Sequence, residues 1–220
     1  MANVEQLKAR LDDLVHRSWD AEAITARFER LAREGIPPNH LTAPDVVAHK
    51  QEILEGIERR AEEYEYLSHS CAKGSALALM EEFGLGNMAI IRALSPFPGF
   101  GMTGGICGAV TGALVALGLY FGSDDLQDYE GTGRTMTAAR RFIPRFEEEV
   151  GSIYCPRIQQ DVVFDKYMDP RASRENFEAF VAAHGYEKCA LLPGIGARIA
   201  ADIIIESMEK DHQRAGRSEA

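Results

Sequence analysis

GFGMTGGICGAVTGALVALGLYFG, residues 99–122, is the stretch around which the chain is organised. No charged residue occurs between Arg92 and Asp124. So long an apolar run exceeds a strand and reads as a buried helix ending near Gly122. Gly104, Gly108 and Gly112 recur every four residues, which in a helix places them on one face as a smooth strip. A glycine in a helix interior costs about 1 kcal/mol relative to alanine. Several of them beside a thiol, Cys107, point to close approach: another backbone, or an inorganic group, lies against the strip. Gly104, Gly105, Gly108 and Gly112 are the residues expected to make that room. Length alone is borderline for a membrane span. The glycines weaken that reading, and Asp124 and Asp125 follow directly rather than Lys or Arg. A core helix is expected, with no membrane partner.

Working outward, Val4, Leu7, Leu11, Leu14 and Val15 fall on one helical stripe, and Ile24, Phe28 and Leu31 continue it. Gly35 and Pro37-Pro38 end that segment. Thr42 is a candidate N-cap for a second long helix, with Pro44 in its first turn and Asp45 three residues on. Two such helices read as an antiparallel hairpin that must bury its stripe against the core or a second copy of the chain. Beyond Ser68 the pattern predicts a helix closed by Gly84 or Gly86, a short apolar helix, and a loop at SPFPGFGMTGG. The glycine-rich helix follows, then a polar connection, SDDLQDYEGTG. Next comes a helix carrying Ala138, Phe142, Phe146 and Val150, with Pro144 expected to kink it. Helices in YCPRIQQDV, SRENFEAFVAAHG and LPGIGARIAADIIIESMEK complete the chain. The expected fold is all-α: a multi-helix bundle around a central glycine-rich apolar helix, with an N-terminal helical hairpin. Residues 1–66 form the hairpin extension, 67–212 the cysteine-bearing redox domain, and 213–220 a frayed tail.

The chain has 220 residues, 45% of them hydrophobic, which suits a sizeable globular core. A formal net charge of −10 argues against nucleic acid and anionic membrane surfaces as partners. MANVEQLKARLDDL has no apolar core of the kind a secretory signal needs, so a cytoplasmic location is expected. Structural disulfides are uncommon there. The four cysteines, Cys71, Cys107, Cys155 and Cys189, are then thiols, metal ligands or redox groups. No CxxC or CxxCH spacing occurs, which excludes a zinc ribbon, a thioredoxin motif and covalent c-type haem. Each cysteine falls at or near a predicted helix start, Cys155 as the N-cap before Pro156. Helix N-termini favour thiolate over thiol. Four thiolates meeting there would bind a soft metal or an iron–sulfur cluster. The same residues also permit a metal-free dithiol–disulfide oxidoreductase, or a helical scaffold or dimerisation module whose cysteines are inert.

With Cys71 in SCAKGSALAL, the run GGICGAVTGALVALGLYFG, Cys155 in GSIYCPRI and then Cys189, the chain resembles the C_GCAxxG_C_C family of redox-active proteins. The signature reads Gly105-Ile106-Cys107-Gly108-Ala109 and closes at Gly112, with Ile106 inserted before the cysteine. The resemblance runs from about Tyr64 to Cys189. Split-Soret cytochromes carry a similar module, in which an iron–sulfur cluster lies beside the haems. Since the haem motif is absent here, the resemblance implies only a 2Fe–2S or 4Fe–4S cluster held by Cys71, Cys107, Cys155 and Cys189. The resemblance implies a redox-active protein without an assigned reaction; the expected function is electron transfer or redox sensing with a redox partner protein, as an oxidoreductase component. The apolar stripe of the N-terminal hairpin adds the expectation of a homodimer.

His69 lies two residues before Cys71 and is either a further ligand or a helix-start residue; His184 reads as structural. LPGIGARIA has no preceding strand and no GK[ST], so it is no phosphate loop. GTGRTMTAARR reads as a solvated turn, and Glu62-Glu63 and Glu147–Glu149 as solvated helix faces.

Overall fold

The computed structural model describes residues 4–218, and among them there is no β-strand. Three N-terminal helices, α1 (Val4–His16), α2 (Ala21–Glu34) and α3 (Ala43–Ser68), lead into α4 (Cys71–Phe83) and the short α5 (Met88–Ala93) and α6 (Gly99–Met102). The glycine-rich helix is α7 (Gly108–Phe121), followed by α8 (Tyr129–Val150) and α9 (Cys155–Ile158), which passes into a π-helical turn at Gln159–Val163. Then come α10 (Arg174–Ala182), α11 (Gly185–Cys189) and α12 (Leu191–Ser218). The fold is therefore all-α, as the periodicity requires. Helices α3, α4, α7 and α12 pack on one another as the central bundle, and α8 lies across α7 and α12. No helix among the described residues is long and apolar enough to cross a membrane.

The first predicted long helix is divided in two. Asp20 caps α2 by accepting from the Ala23 N–H at 3.0 Å, and the Trp19 ring stacks on Tyr66 with centroids 4.5 Å apart. An N-cap needs non-helical backbone, so the chain breaks there. Thr42 caps α3 as expected: its hydroxyl accepts from the Asp45 N–H while the Asp45 carboxylate accepts from the Thr42 N–H. Leu7, Leu11, Leu14, Ile24, Leu31, Val46 and Ile57 are all buried in the common core, so the stripe of these helices is covered within the chain.

Helix α7 starts later than its glycine spacing implies. Gly104 has φ +83°, and the Cys107 N–H donates to the Ile153 carbonyl at 2.8 Å, so Gly104 lies outside the helix. Gly108 and Gly112 do form a bare strip, and it faces α4: a Cβ on Gly112 would overlap the Ala72 carbonyl oxygen. The same contact recurs between other pairs. A Cβ on Gly74 would stand 2.7 Å from the Ala61 oxygen of α3, and one on Gly196 3.0 Å from the Ala109 oxygen of α7. The glycines of LPGIGARIA are thus packing residues of α12.

Other expectations are corrected. GTG of residues 131–133 lies inside α8, which begins at Tyr129 because Asp128 caps it. Pro144 leaves α8 uninterrupted; it points outward while Ala138, Phe142, Phe146 and Val150 hold the opposite face in the core. Glu62 is buried, not solvated, and accepts from Arg17 Nη1 at 2.6 Å. Glu149 accepts from Arg198 at 2.6 Å, whereas Glu147 and Glu148 are exposed as expected. The C-terminal helix is helical through Ser218, and the last two residues of the expected frayed tail lie outside the described residues.

Gly112→Val will lower folding stability by about 1–3 kcal/mol through overpacking against Ala72. Gly118→Ala, at a helical position with open space around it, will raise stability by about 0.8–1 kcal/mol. Denaturant melts of the two variants check both signs.

Candidate functional site

Cys71 is the first residue of α4, and Cys107 is the N-cap of α7. The contact between these two helices brings both thiols together. The Cys107 thiol donates to the Cys71 sulfur, and the backbone N–H groups of Gly108, Ala109 and Ala72 point at that sulfur too. A Cβ on Gly108 would overlap Cys71 Sγ. Cys155 is joined to this pair by backbone. Its N–H donates to the Gly105 carbonyl at 3.0 Å, opposite the bond from Cys107 to Ile153, making an isolated antiparallel bridge at Ile106 and Tyr154. Cys155 is the first residue of α9, not its N-cap, which is Tyr154. Gln159, at the π turn, donates to Cys155 Sγ at 3.7 Å and accepts from the Met168 N–H at 2.7 Å. Cys189 ends α11, which the stacking of Tyr186 on His69, 3.7 Å between centroids, holds against the end of α3.

A cavity of about 700 Å³ opens among these elements. Cys71, Cys155 and Cys189 line it, with Glu65, His69 and Tyr186. Cys107 is only 1% exposed and sits behind Cys71, outside the wall. The four thiols are free, and Cys107, Cys155 and Cys189 each feel the charge of Cys71. Among the described residues no three His, Cys, Asp or Glu stand close enough together to hold a single metal ion.

The bond from Cys107, helped by the three N–H groups and opposed by burial, holds the Cys71 thiol below its usual value. The same bond, then burial, pushes Cys107 well up. Burial, then the charge of Cys71, pushes Cys155 up to about 12. Burial, then Glu65, pushes Cys189 well up. Cys71 is thus the thiol of the four that ionises most readily. Burial also lowers His69, leaving its ring neutral at the rim.

The predicted glycines divide by role. Gly108 makes room for the Cys71 sulfur, Gly105 supplies the carbonyl that holds Cys155, and Gly104 turns the chain beside Pro156. Gly112 lies one turn farther along α7 and packs on Ala72. Glu65, Gln159 and Tyr186 were not legible as site residues. Glu65 alone left a signal: with Ile57 and Ala61 it occupies the buried stripe of α3 at four-residue spacing, a carboxyl where an apolar residue belongs.

A family model described as "Putative redox-active protein (C_GCAxxG_C_C)" matches residues 69–203, which include all four cysteines. Comparison with curated proteins and with solved structures gives no match.

In metal-free protein, alkylation of Cys71 will begin at lower pH than that of an ordinary thiol. Cys107→Ala removes the bond that favours the Cys71 thiolate, so the alkylation profile of Cys71 will move to higher pH. Peptide mass spectrometry after graded-pH labelling measures it; an unmoved profile contradicts the assignment.

Proposed function

The chain belongs to the C_GCAxxG_C_C family, and from that premise we propose a redox protein that holds an iron–sulfur cluster, 2Fe–2S or 4Fe–4S, through Cys71, Cys107, Cys155 and Cys189. The observation that carries this reading is that Cys71, Cys155 and Cys189, from three separate segments, line one cavity, with Cys107 against Cys71 behind its wall. Thiols are the donors that soft metals and iron–sulfur clusters use. When bound, the cluster would supply one-electron transfer at a potential set by its surroundings.

The chain's own residues have separable tasks. Cys71 is already biased toward the ionised form that a ligand must adopt. The N–H groups of Gly108 and Ala109, at the start of α7, hydrogen-bond that sulfur and draw charge from it, which favours the reduced state of a bound cluster. Gln159 orients Cys155. His69, Tyr186 and Phe180 wall the cavity and restrict water. Electrons would pass to or from a partner protein, in a cytoplasmic setting where thiols stay reduced.

The direct contact of Cys71 with Cys107 favours a second reading. In it the Cys71 thiolate attacks a disulfide of a partner, and Cys107 then resolves the mixed disulfide. The two thiols become one disulfide, and their two electrons and two protons leave as the partner's two thiols.

Anaerobic purification, with iron, sulfide and visible absorption measured per chain, separates the readings. The cluster reading expects sulfur-to-iron charge-transfer colour in the wild type and loss of most bound iron in Cys71→Ser, Cys155→Ser and Cys189→Ser. A colourless, iron-free wild type that forms a Cys71–Cys107 disulfide supports the second reading and ends the first.

A further inference from the structure

Glu65 and Glu62 lie one turn apart on α3 and are almost equally buried, at 3% and 4% exposure. Their surroundings differ. Glu62 is matched by Arg17 at 2.6 Å and Arg10 at 3.5 Å. The carboxyl of Glu65 receives only the backbone N–H of Ser70, and its Oε2 is buried without a hydrogen-bond partner. The hydroxyl of Ser70 beside it is buried and unpartnered as well. Both residues line the cavity that Cys71, Cys155 and Cys189 enclose. Buried carboxyls are ordinarily hydrogen-bonded, ion-paired or bound to a metal. Here the first is half-fulfilled, the second is absent from the contacts of Glu65, and the third is the chemistry its neighbours offer.

We propose that Glu65 is an oxygen ligand to the metal centre of this cavity, an assignment that rests on the iron–sulfur reading above. An oxygen donor is harder than thiolate and a weaker match for iron already bound by sulfur. Added to the four thiolates, it gives one iron a donor more than the others have, so that iron is distinct and its oxygen ligand is the one most readily displaced. Serine 70, within reach of the same carboxyl, orients it through its N–H.

The test uses the full chain, reconstituted anaerobically with iron and sulfide, as wild type, Glu65→Gln and Glu65→Cys. The readouts are iron per chain, the rate of iron loss to a chelator, the electron paramagnetic resonance spectrum of the reduced protein, and the melting of the metal-free protein. Glutamine keeps the shape and removes the anionic donor. Ligation expects unchanged metal-free melting, iron loss faster by about tenfold or more, and an altered resonance spectrum. It expects Glu65→Cys to restore iron retention. If Glu65→Gln also melts early when metal-free, recovery in Glu65→Cys still supports ligation, and failure to recover overturns it. Iron retention and spectrum unchanged in Glu65→Gln overturn the ligand assignment alone. A wild type that takes up no iron overturns the iron–sulfur reading and this assignment together.

Discussion

The approach of α7 to the first turn of α4 is the constraint on which the rest depends. Two bare positions make it possible: Gly108 admits the Cys71 sulfur and Gly112 admits the Ala72 carbonyl. At that distance the free N–H groups of one helix start face the thiol that begins another. One contact thus does two things. It closes the centre of the bundle, where α3, α4, α7 and α12 meet, and it sets the electrostatics of the most acidic thiol in the chain. Any side chain at Gly108 would separate the helices and remove the sulfur from its donors together.

The molecule accepts local strain around this contact. Of the non-glycine residues with left-handed backbone, His69, Phe100, Met102 and His184 flank the cysteine-bearing segments. Each such residue costs on the order of 1–3 kcal/mol and persists only where its surroundings fix it. Here the surroundings are identifiable. Stacking of His69 on Tyr186 and the bond from the His69 N–H to the Glu65 carbonyl at 2.7 Å hold the α3–α4 corner. The dense core behind the cavity, with Ala72, Ala76, Ala109 and Ala113 wholly buried, supplies rigidity that the strained loops lack.

Sequence pattern carried the helical class, the capping of α3, the closure of α4 at Gly84 or Gly86, of which the structure uses Gly84, and the close approach at Gly108 and Gly112. All of these are local: periodicity, a cap, or a glycine where none is cheap. What it missed required knowledge of which distant segments meet. Glu62 looks like a surface charge until Arg17 and Gly194 are placed against it. Gly194 and Gly196 sit in a predicted helix, but what they pack against appears only when α12 is seen crossing α3 and α7. Gln159 falls in a predicted helix, but nothing local reveals that the helix widens there into a π turn or that the Gln159 side chain meets Cys155 and Met168. The start of α7 was misplaced because glycine periodicity does not reveal that the Cys107 N–H is taken by Ile153.

The isolated bridge between Ile106 and Tyr154 has an implication for biosynthesis. It staples Cys107 to a segment made much later, and Cys189 arrives later still, on α11. No nascent chain can present a finished pocket until α11 has emerged and docked beside α3. A group held by all of the pocket's thiols would therefore gain its last donor only at that late stage of assembly.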